Sequence, residues 1–511
     1  MARLITDPAY SLRDFRILPG YTDNNSRIQD IALRSPLCRR GKCFIYLELP
    51  FMSAAMQAVT GADMAIALAE LGGIGVLPVC PEIEEQRRKI WAVKHYKAGF
   101  QDDIITFSPS TILKHVKETI DKTRYSIFPV TDTGVFHGKL VGVITDKDFD
   151  PRSDLGLSVN ERMRKDIRSG VDVEDLREAN RLMILYGHGF LPIVSREGTL
   201  QSVVFKKDLD KHIKHPHATV DGQKRLRVGL AISTHPEDRE QVTALVDSEV
   251  DLLVIDSSDG FSVFQKETVE WIKKKFDVPV IGGNVVTAEA FQMLADAGAD
   301  GVKVGMGIGS GCTTQEVRAT GRGQATALLE VVKARDAYAR EGRYIPIVAD
   351  GGISAPVDIA IALALGANTV MMGNFFARFS ESPSMVYQMN GKPVKEYWME
   401  GSTKGRNYHR YGQLPDTFFE EGIMGFVPHL GSIYDHLPLS GERLKATLRT
   451  VGVSTIDDFQ KHAVLELQSD SANRDSQVHD MIPSTPDPLS HNRPGLPDSV
   501  VEGFDGETKY L

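Results

Sequence analysis

A glycine-rich stretch, VGMGIGSGCTT from Val304 to Thr314, carries one of only four cysteines in the 511-residue chain. Glycine allows tight backbone turns and leaves amide and carbonyl groups accessible to a ligand. Such a loop can bind a phosphate through its N–H groups or a cation through its carbonyl groups. Because a glycine-rich segment offers little apolar surface to bury a thiol, we interpret Cys312 as a nucleophile rather than as a small core residue.

Two further polar segments follow apolar runs and could bind a nucleotide. Asp350 supplies a carboxylate for two ribose hydroxyls, and Gly351 and Gly352 leave two amides free to approach a phosphate. Gly373 and Asn374 end the next apolar run with small and polar residues. Either segment alone could be an ordinary turn, but the two together favour a site for phosphate and ribose.

A third polar segment, Asp256-Ser257-Ser258, could bind a second ribose, although Asp-Ser-Ser is also common where helices begin. A fourth, KGRNYHRYG at 404–412, holds three basic residues and two tyrosines. Such a charged run is often only a solvated surface. If it folds over the site, Arg410 and Tyr411 would bring a cation and a phenol to the chemistry.

Eight short apolar runs, each followed by a helical pattern, must position these residues. The runs comprise residues 51–56, 73–78, 227–232, 252–258, 278–284, 301–305, 345–352 and 369–374. Several of the helical patterns begin with Thr, Asp or Pro and end at Gly. Eight alternating strands and helices predict an α/β protein with a (β/α)8 TIM barrel, whose active site forms at the carboxyl ends of the strands.

An insertion separates the second and third runs. Within it, residues 126–150 and 189–210 share one pattern of a proline-containing apolar segment, a turn and a second strand, with Pro129 matching Pro192. Each copy follows a helical segment, which predicts a tandem α/β module. The expected segments are a first barrel part at 1–100, the module at 101–218 with repeats at about 101–155 and 160–215, a second barrel part at 219–468 with a long excursion at 385–425, and a polar tail at 469–511. The excursion is expected to be irregular, with a turn at Asn390-Gly391 between two strand-like segments.

Charge and composition exclude several classes of protein. The net charge of −9 attracts neither nucleic acid nor an anionic membrane, and no apolar run reaches transmembrane length. We expect a cytoplasmic protein, since the terminal Lys509-Tyr510-Leu511 only faintly resembles the Ser-Lys-Leu organellar signal. Four cysteines without a CxxC pair indicate neither disulfides nor zinc, and we expect Cys38 and Cys43 to be surface thiols beside a basic turn.

The sequence is similar to the IMP dehydrogenase family from about residue 10 to residue 465. The resemblance is carried by AAMQAVTGADMAIALAELGGIGV, IDSSDG, GGNVVTAEAF, GSGCTT, GRGQATA and ADGGI, in the family's order. It implies that Cys312 adds to C2 of the hypoxanthine of IMP while hydride leaves that carbon for NAD. A mobile flap would then bring Arg410 and Tyr411 to activate the water that releases XMP. The insertion resembles a pair of cystathionine-β-synthase (CBS) domains, which in this family often bind purine nucleotides.

The resemblance also implies roles for other residues. Those expected around IMP are Ser310, Gly352, Gly373 and Tyr397 at the phosphate, Asp350 at the ribose, Glu421 at the purine, and Gly351, Asn374 and Gly401 beside them. Those expected around NAD are Asp256, Ser257, Ser258 and Gly305. Thr314 would lie beside the hydrolytic water, and the carbonyls of Gly307, Gly309 and Cys312 match the family's monovalent-cation site, where potassium is expected.

The chain departs from the family pattern at several positions. Met399-Glu400-Gly401-Ser402 stands where most members have Gly-Met-Gly-Ser, and Ile308 stands where proline is usual. The C-terminal segment that completes a neighbour's cation site usually reads Glu-Gly-Gly, whereas residues 475–477 read Asp-Ser-Gln. In the second repeat, 206–208 read Lys-Lys-Asp where a ribose motif is found in the first, so an altered allosteric site is expected. Family members form tetramers that often pair into octamers.

Two other functions are compatible with much of this pattern. GMP reductase shares the barrel, the cysteine and the phosphate site, but it must avoid hydrolysis, so Arg410 and Tyr411 favour the dehydrogenase. A non-catalytic nucleotide sensor would need only the CBS pair. The joint presence of Cys312, Thr314 and Asp350 with the Arg-Tyr pair argues against it.

Overall fold

A computed structural model describes the fold in two compact units. The first comprises residues 1–93, 217–219 and 227–511, and the second residues 94–216 and 220–226. The described residues are 4–23, 27–80, 82–96, 100–101, 104–123, 125–173, 176–206, 214–257, 259–407, 420–476 and 489. Arg410, Tyr411 and Ser258 therefore lie outside the described residues.

The strands are short and almost all carry buried apolar side chains. In the described residues they are β1 (Phe15–Ile17), β2 (Ser35–Arg40), β3 (Cys43–Leu47), β4 (Phe51–Ser53), β5 (Ile74–Leu77), β6 (Ile127–Thr131), β7 (Leu140–Thr145), β8 (Gly170–Val171), β9 (Phe190–Val194), β10 (Leu200–Phe205), β11 (Gly229–Ile232), β12 (Leu252–Ile255), β13 (Val280–Val285), β14 (Gly301–Val304), β15 (Ile347–Asp350), β16 (Thr369–Met372), β17 (Val386–Met389), β18 (Lys392–Trp398), β19 (Met424–Pro428) and β20 (Leu465–Leu467).

The helices alternate with the strands in both units. In the described residues they are α1 (Ala62–Glu70), α2 (Ile83–Tyr96), α3 (Leu113–Thr123), α4 (Val159–Arg162), α5 (Leu176–Tyr186), α6 (Arg239–Val246), α7 (Val263–Lys275), α8 (Ala288–Ala297), α9 (Thr314–Arg318), α10 (Gln324–Arg340), α11 (Pro356–Ala364), α12 (Asn374–Ala377), α13 (Thr403–Asn407), α14 (Ile433–Val451), α15 (Ile456–His462) and α16 (Asp470–Asp475). Polar side chains start several of them; Ser262 and Thr287 each accept a backbone N–H of the first turn of α7 and α8.

Eight parallel strands close into a barrel in the order β11-β12-β13-β14-β15-β16-β4-β5. Every residue of β5, β11, β12, β14 and β16 is buried, because the barrel interior covers one face and the surrounding helices cover the other. The predicted TIM barrel is confirmed, and each of the eight predicted runs overlaps one barrel strand, although β13 ends one residue beyond the run at 278–284. The polar segments predicted to carry chemistry follow the carboxyl ends of β12, β14, β15 and β16.

An antiparallel hairpin of β2 and β3 packs against the barrel interior. Its Leu37, Ile45 and Leu47 belong to the same apolar cluster as Met52 of β4. Cys38 lies in this cluster and is fully buried, and burial raises the pKa of its thiol. The expectation that Cys38 is a surface thiol is therefore wrong; the basic turn that suggested exposure begins only at the end of β2.

The second unit contains two hairpins that match the predicted repeat. In the first, α3 precedes the antiparallel pair β6–β7; in the second, α5 precedes β9–β10, with β8 added beside β9. Pro129 and Pro192 occupy the third position of β6 and β9, as the pattern requires. Each copy has its own apolar cluster, one around Phe128 and one around Leu191.

The excursion contributes two strands, β17 and β18, and the start of a third, β19, to an antiparallel sheet in the order β17-β18-β19. The predicted turn is confirmed, since Asn390 and Gly391 connect β17 to β18 with φ of 50° and 75°. On one face of this sheet, Lys395 and Tyr397 are buried. Among the described residues, no helix is both long and apolar enough to cross a membrane.

Candidate active site

The loop after β14 turns sharply at glycines. Gly305 has φ of +137°, and a Cβ atom there would lie 2.0 Å from the carbonyl oxygen of Asp350. Gly307 has φ of +73°, which L-residues with side chains rarely adopt. Because both positions exclude a side chain, the loop passes close to the end of β15 before it reaches Cys312.

Cys312 begins a continuous chain of polar side chains. Its Sγ atom lies 3.2 Å from Oγ1 of Thr314, and this buried hydroxyl donates to Oε2 of Glu421 at 3.0 Å. Oε1 of Glu421 accepts a hydrogen bond from Arg318 Nη1 at 3.3 Å. A proton can therefore move between the Cys312–Thr314 pair and the Glu421 carboxylate. This carboxylate is also paired with the partly exposed guanidinium of Arg318.

A second polar network lies at the ends of β13, β14 and β15. Lys303 Nζ bonds Asp350 Oδ2 at 2.7 Å and also donates to the side-chain oxygen of Asn284. Asn284 Nδ2 donates to the same Asp350 oxygen at 3.0 Å and to the Gly305 carbonyl at 2.7 Å. Lys303 is only 5% exposed, so this ion pair is shielded from water. The network fixes the Asp350 carboxylate and ties it to the glycine loop.

Four of the residues predicted at a phosphate or beside it come together behind the glycine loop. Ser310 lies close enough to Tyr397 to affect the pKa of its hydroxyl, and a Cβ atom on Gly373 would lie 2.8 Å from the Tyr397 hydroxyl oxygen. Asn374, which follows Gly373, begins the short helix α12. Burial raises the pKa of Tyr397, so its hydroxyl stays protonated and able to donate. These four residues, Ser310, Gly373, Asn374 and Tyr397, form a cradle that offers hydroxyl and amide donors, which suit an anion.

A cleft with about 960 Å³ of space free of protein atoms opens at the carboxyl end of the barrel. The predicted site residues that line it are Cys312, Thr314, Asp350, Gly351, Gly401, Glu421, Asp256, Ser257, Gly305, Gly307 and Gly309. Five predicted residues do not line the cleft: Ser310, Gly352, Gly373, Asn374 and Tyr397. Gly352 directly follows the lining residue Gly351, and the other four form the cradle.

Sequence reasoning missed three polar residues that line the cleft, Lys303, Asn284 and Glu400. Lys303 and Asn284 line it, and the only signal was a charged residue in the otherwise apolar run GVKVG. Glu400 lies where the chain departs from its family pattern. Its carboxylate is 5% exposed and accepts the backbone N–H of Gln57 at 2.7 Å, so it ties the segment after β18 to the loop after β4. Glu400 therefore stabilises the side of the cleft where these two segments meet.

The residues expected at a monovalent-cation site, Gly307, Gly309 and Cys312, would offer only backbone oxygens to an ion. The described residues contain no group of three or more His, Cys, Asp or Glu side chains placed to hold a metal ion. The Gly309 carbonyl accepts the Cys312 N–H at 3.1 Å, which shapes the loop but leaves a lone pair on that oxygen. Carbonyl oxygens suit a hard monovalent cation better than a transition metal.

Comparisons with known proteins place this site in a family. Residues 9–479 match the family model described as the IMP dehydrogenase / GMP reductase domain. The chain belongs to this family. The family resemblance read from the sequence is thus confirmed, and its two named activities set the alternatives for the function.

Family members of known name resemble this chain over nearly their whole length. Inosine-5'-monophosphate dehydrogenase of Tritrichomonas foetus is 38% identical over 494 residues, which cover 94% of this chain and 98% of the relative. The enzyme of the same name from Schizosaccharomyces pombe is 36% identical, with 92% and 91% covered. A solved structure of GMP reductase from Trypanosoma brucei in complex with guanosine 5'-monophosphate superposes with a TM-score of 0.81, at 27% identity and with 93% and 98% covered.

Proposed function

We propose that this chain catalyses the NAD-dependent oxidation of IMP to XMP, which makes it an NAD-dependent oxidoreductase of the IMP dehydrogenase type. The observation that carries the proposal is the contact of the Cys312 thiol with Thr314 and, through it, with Glu421, in the lining of the cleft at the carboxyl end of the barrel. The named relatives at 36–40% identity support the same choice between the family's two activities.

Cys312 provides the nucleophile. Its sulfur forms a bond to C2 of the hypoxanthine, and the hydride on that carbon leaves, so that a covalent thioimidate remains on the cysteine. NAD, when bound, accepts this hydride and becomes NADH. Water then adds to the same carbon and the C2–sulfur bond breaks, which releases XMP and returns the thiol. The sum is IMP, NAD⁺ and water converted to XMP, NADH and one proton.

The hydrolytic step needs a base for water. Thr314 can hand a proton to Glu421, because its hydroxyl already donates to that carboxylate at 3.0 Å. Arg410 and Tyr411 lie outside the described residues; their proposed role in activating water rests on the family resemblance. Arg318 would hold Glu421 in place from the outer side.

The remaining site residues would bind the two nucleotides. We assign the ribose of IMP to Asp350, whose carboxylate is fixed by Lys303 and lines the cleft. Its phosphate belongs in the cradle of Ser310, Gly373, Asn374 and Tyr397, with Gly351 and Gly352 at its edge. The purine is assigned to Gly401 and Glu421, and the nicotinamide nucleotide to Asp256, Ser257, Ser258 and Gly305.

The second candidate function is reduction of GMP with NADPH, which the structural likeness to a GMP reductase favours. Purified protein is tested with IMP and NAD in potassium buffer and, in parallel, with GMP and NADPH. NADH and XMP formation from the first pair alone is the expected result. NADPH oxidation and ammonia release from the second pair alone would establish the reductase and contradict the proposal.

Potassium is proposed as the cation of the glycine loop, held by the carbonyls of Gly307, Gly309 and Cys312. A bound cation would order the loop that carries the nucleophile. Replacement of potassium by lithium in the assay is expected to lower kcat. Return of potassium is expected to restore it. Equal rates in both salts would remove the cation from the account.

Purine nucleotides are proposed as ligands of the second unit. A cleft there is lined by Thr145, Asp146, Lys147, Arg164, Arg168 and His188, among others, which combines carboxylate, hydroxyl and cationic groups. Calorimetry with ATP and GTP tests this, and absence of binding by either would contradict it. We also propose a homotetramer, with octamers on nucleotide binding, tested by light scattering with and without nucleotide.

A further inference from the structure

A buried arginine lies directly beside the phosphate cradle without an acidic partner. Arg378 follows the last residue of α12 and is 6% exposed. Within the part of the chain that the structure describes, no carboxylate lies within ion-pairing distance of it. Its guanidinium instead makes two hydrogen bonds to one neutral atom, Asn374 Oδ1, from Nε at 3.0 Å and from Nη2 at 2.5 Å.

Other arginines of the barrel unit that are withdrawn from solvent have acidic partners. The buried Arg335, 5% exposed, pairs with Asp336 at 2.8 Å, and the partly buried Arg227 pairs with Asp251 at 2.8 Å. Removing a cation from water is costly unless an opposite charge compensates for it. Burial accordingly lowers the pKa of Arg378. The fold keeps a positive charge here that the described residues leave without an opposite charge.

The charge faces the residues that form the cradle. Arg378 acts electrostatically on Tyr397, whose hydroxyl lies beside Gly373. Asn374 directly follows Gly373 in the chain, and its side-chain oxygen bonds the guanidinium of Arg378. A ligand that contacts Gly373 and Asn374 would therefore lie near the guanidinium.

The two hydrogen bonds also determine how Asn374 is oriented. Because its Oδ1 is held by Arg378, its Nδ2 must point away from the guanidinium, and both N–H groups of that nitrogen remain for another acceptor. Without Arg378 the amide could rotate and present its oxygen to an anion, which would repel it. Arg378 thus makes Asn374 a donor.

We propose that Arg378 is a positioning residue for the 5'-phosphate of the substrate nucleotide: its charge favours the dianionic form of the phosphate, and its hydrogen bonds hold Asn374 as a donor to that phosphate. The inference rests on the proposed function only for the identity of the nucleotide. The same phosphate would occupy the cradle if the substrate were GMP.

The test compares three variants with the wild type. Arg378→Met removes the charge and leaves no carboxylate unpaired, so it should fold with an apo Tm equal to or above that of the wild type. Arg378→Lys keeps a charge without the two-pronged contact to Asn374. Arg335→Met is the matched control, a buried arginine that bonds the Gly366 carbonyl at 2.6 Å and pairs with Asp336. It should lower Tm and leave nucleotide binding unchanged.

The dissociation constants of IMP, GMP and inosine are measured between about pH 5.5 and pH 7.5, across the second ionisation of a phosphate monoester near pH 6. Arg378→Met should weaken IMP about 10- to 100-fold at the higher pH, as expected for a lost charge-assisted interaction. It should also flatten the rise in affinity with pH and leave inosine unchanged. Arg378→Lys should retain part of the rise.

Three results would overturn the inference. One is an unchanged pH profile for IMP in Arg378→Met, and another is an equal loss of affinity for inosine. The third is a fall in apo Tm like that of Arg335→Met with no loss of IMP affinity. If the wild type oxidises NADPH with GMP instead of reducing NAD with IMP, the proposed function fails, while the GMP titration still decides the role of Arg378.

Discussion

The two ends of the barrel contain the same kind of ion pair in two different settings. At the amino ends of the strands, Lys273 bonds Asp300 at 2.8 Å, and the same carboxylate accepts the N–H of Val280 at 3.0 Å. Arg227 and Asp251 form a second pair of this type. Burial raises the pKa of Asp300 in spite of its lysine. These acids are tied to the backbone, and they hold neighbouring strands in register.

At the carboxyl ends, Lys303 and Asn284 both contact one oxygen of Asp350, and the described residues offer its Oδ1 no hydrogen bond. That carboxylate lines the cleft and is fixed by side chains alone. The difference teaches that a buried ion pair by itself does not indicate function in this barrel. What distinguishes the carboxyl end is a carboxylate that is held firmly at one oxygen while its other oxygen accepts no hydrogen bond from the described residues.

The largest predicted effect tests this difference with two lysine variants, one at each end of the barrel. Lys303→Met should lower kcat/KM by about 100-fold or more, because Asp350 loses the group that orients it toward the ribose. Lys273→Met, its match at the amino end, should leave kcat/KM within about twofold and lower Tm by about 2–4 °C. Steady-state kinetics and thermal unfolding are measured for both. Equal losses of kcat/KM would erase the distinction between the two ends.

A second prediction concerns the step after hydride transfer. Thr314→Val removes the hydroxyl that lies between the Cys312 sulfur and Glu421, so kcat should fall about 10- to 100-fold while the first turnover still releases NADH as a burst. Thr313→Val is the control on the neighbouring residue and should change kcat by less than about twofold. Stopped-flow absorbance resolves the burst. Loss of the burst itself in Thr314→Val would move this residue to the hydride-transfer step.

Arg318→Met should have a smaller effect. Its pair with Glu421 spans 3.3 Å and its side chain is 36% exposed, so solvent weakens the interaction. We expect kcat to fall about two- to fivefold with KM for IMP unchanged. A change in KM without a change in kcat would mean that Glu421 serves binding rather than proton transfer.

The smallest prediction concerns pH and the sheet that covers the carboxyl end. Lys395 donates to the carbonyls of Phe379 and Ser382 at 2.8 and 2.9 Å, and burial lowers its pKa to about 8. Below about pH 8 the lysine is protonated in the folded and unfolded states, so its contribution is constant. Between about pH 8 and the model-peptide value near 10.4 the unfolded state binds more protons, so stability should rise with pH.

Chemical denaturation of the wild type and Lys395→Met between pH 7 and pH 10 measures this contribution. The difference in unfolding free energy should stay flat up to about pH 8 and then change in favour of the wild type. A difference that shifts toward the variant above pH 8 would mean that Lys395 has no lowered pKa in the folded state.

Much of the barrel could be predicted because its signals are local. Eight apolar runs ended by small or polar residues located the strands, and Asn390-Gly391 located a turn from two residues alone. The duplicated prolines, Pro129 and Pro192, located the repeat in the second unit.

The site's electrostatics could not be predicted because they depend on contacts between distant parts of the chain. Lys303 and Asp350 are 47 residues apart, and Arg318 and Glu421 are 103 apart. Cys38 was misjudged for a related reason: its neighbours in sequence are basic, but its neighbours in space are the apolar side chains of the barrel interior.

The central claim is that Cys312 at the carboxyl end of the barrel forms a covalent bond to the substrate. The most direct measurement is mass spectrometry of the acid-quenched reaction in the Arg410→Gln variant, in which slowed hydrolysis should let the adduct accumulate. The account predicts a nucleotide adduct on Cys312 that requires both IMP and NAD, with the exposed Cys43 unmodified. NADH formation without any adduct on Cys312, or an adduct on another cysteine, would contradict it.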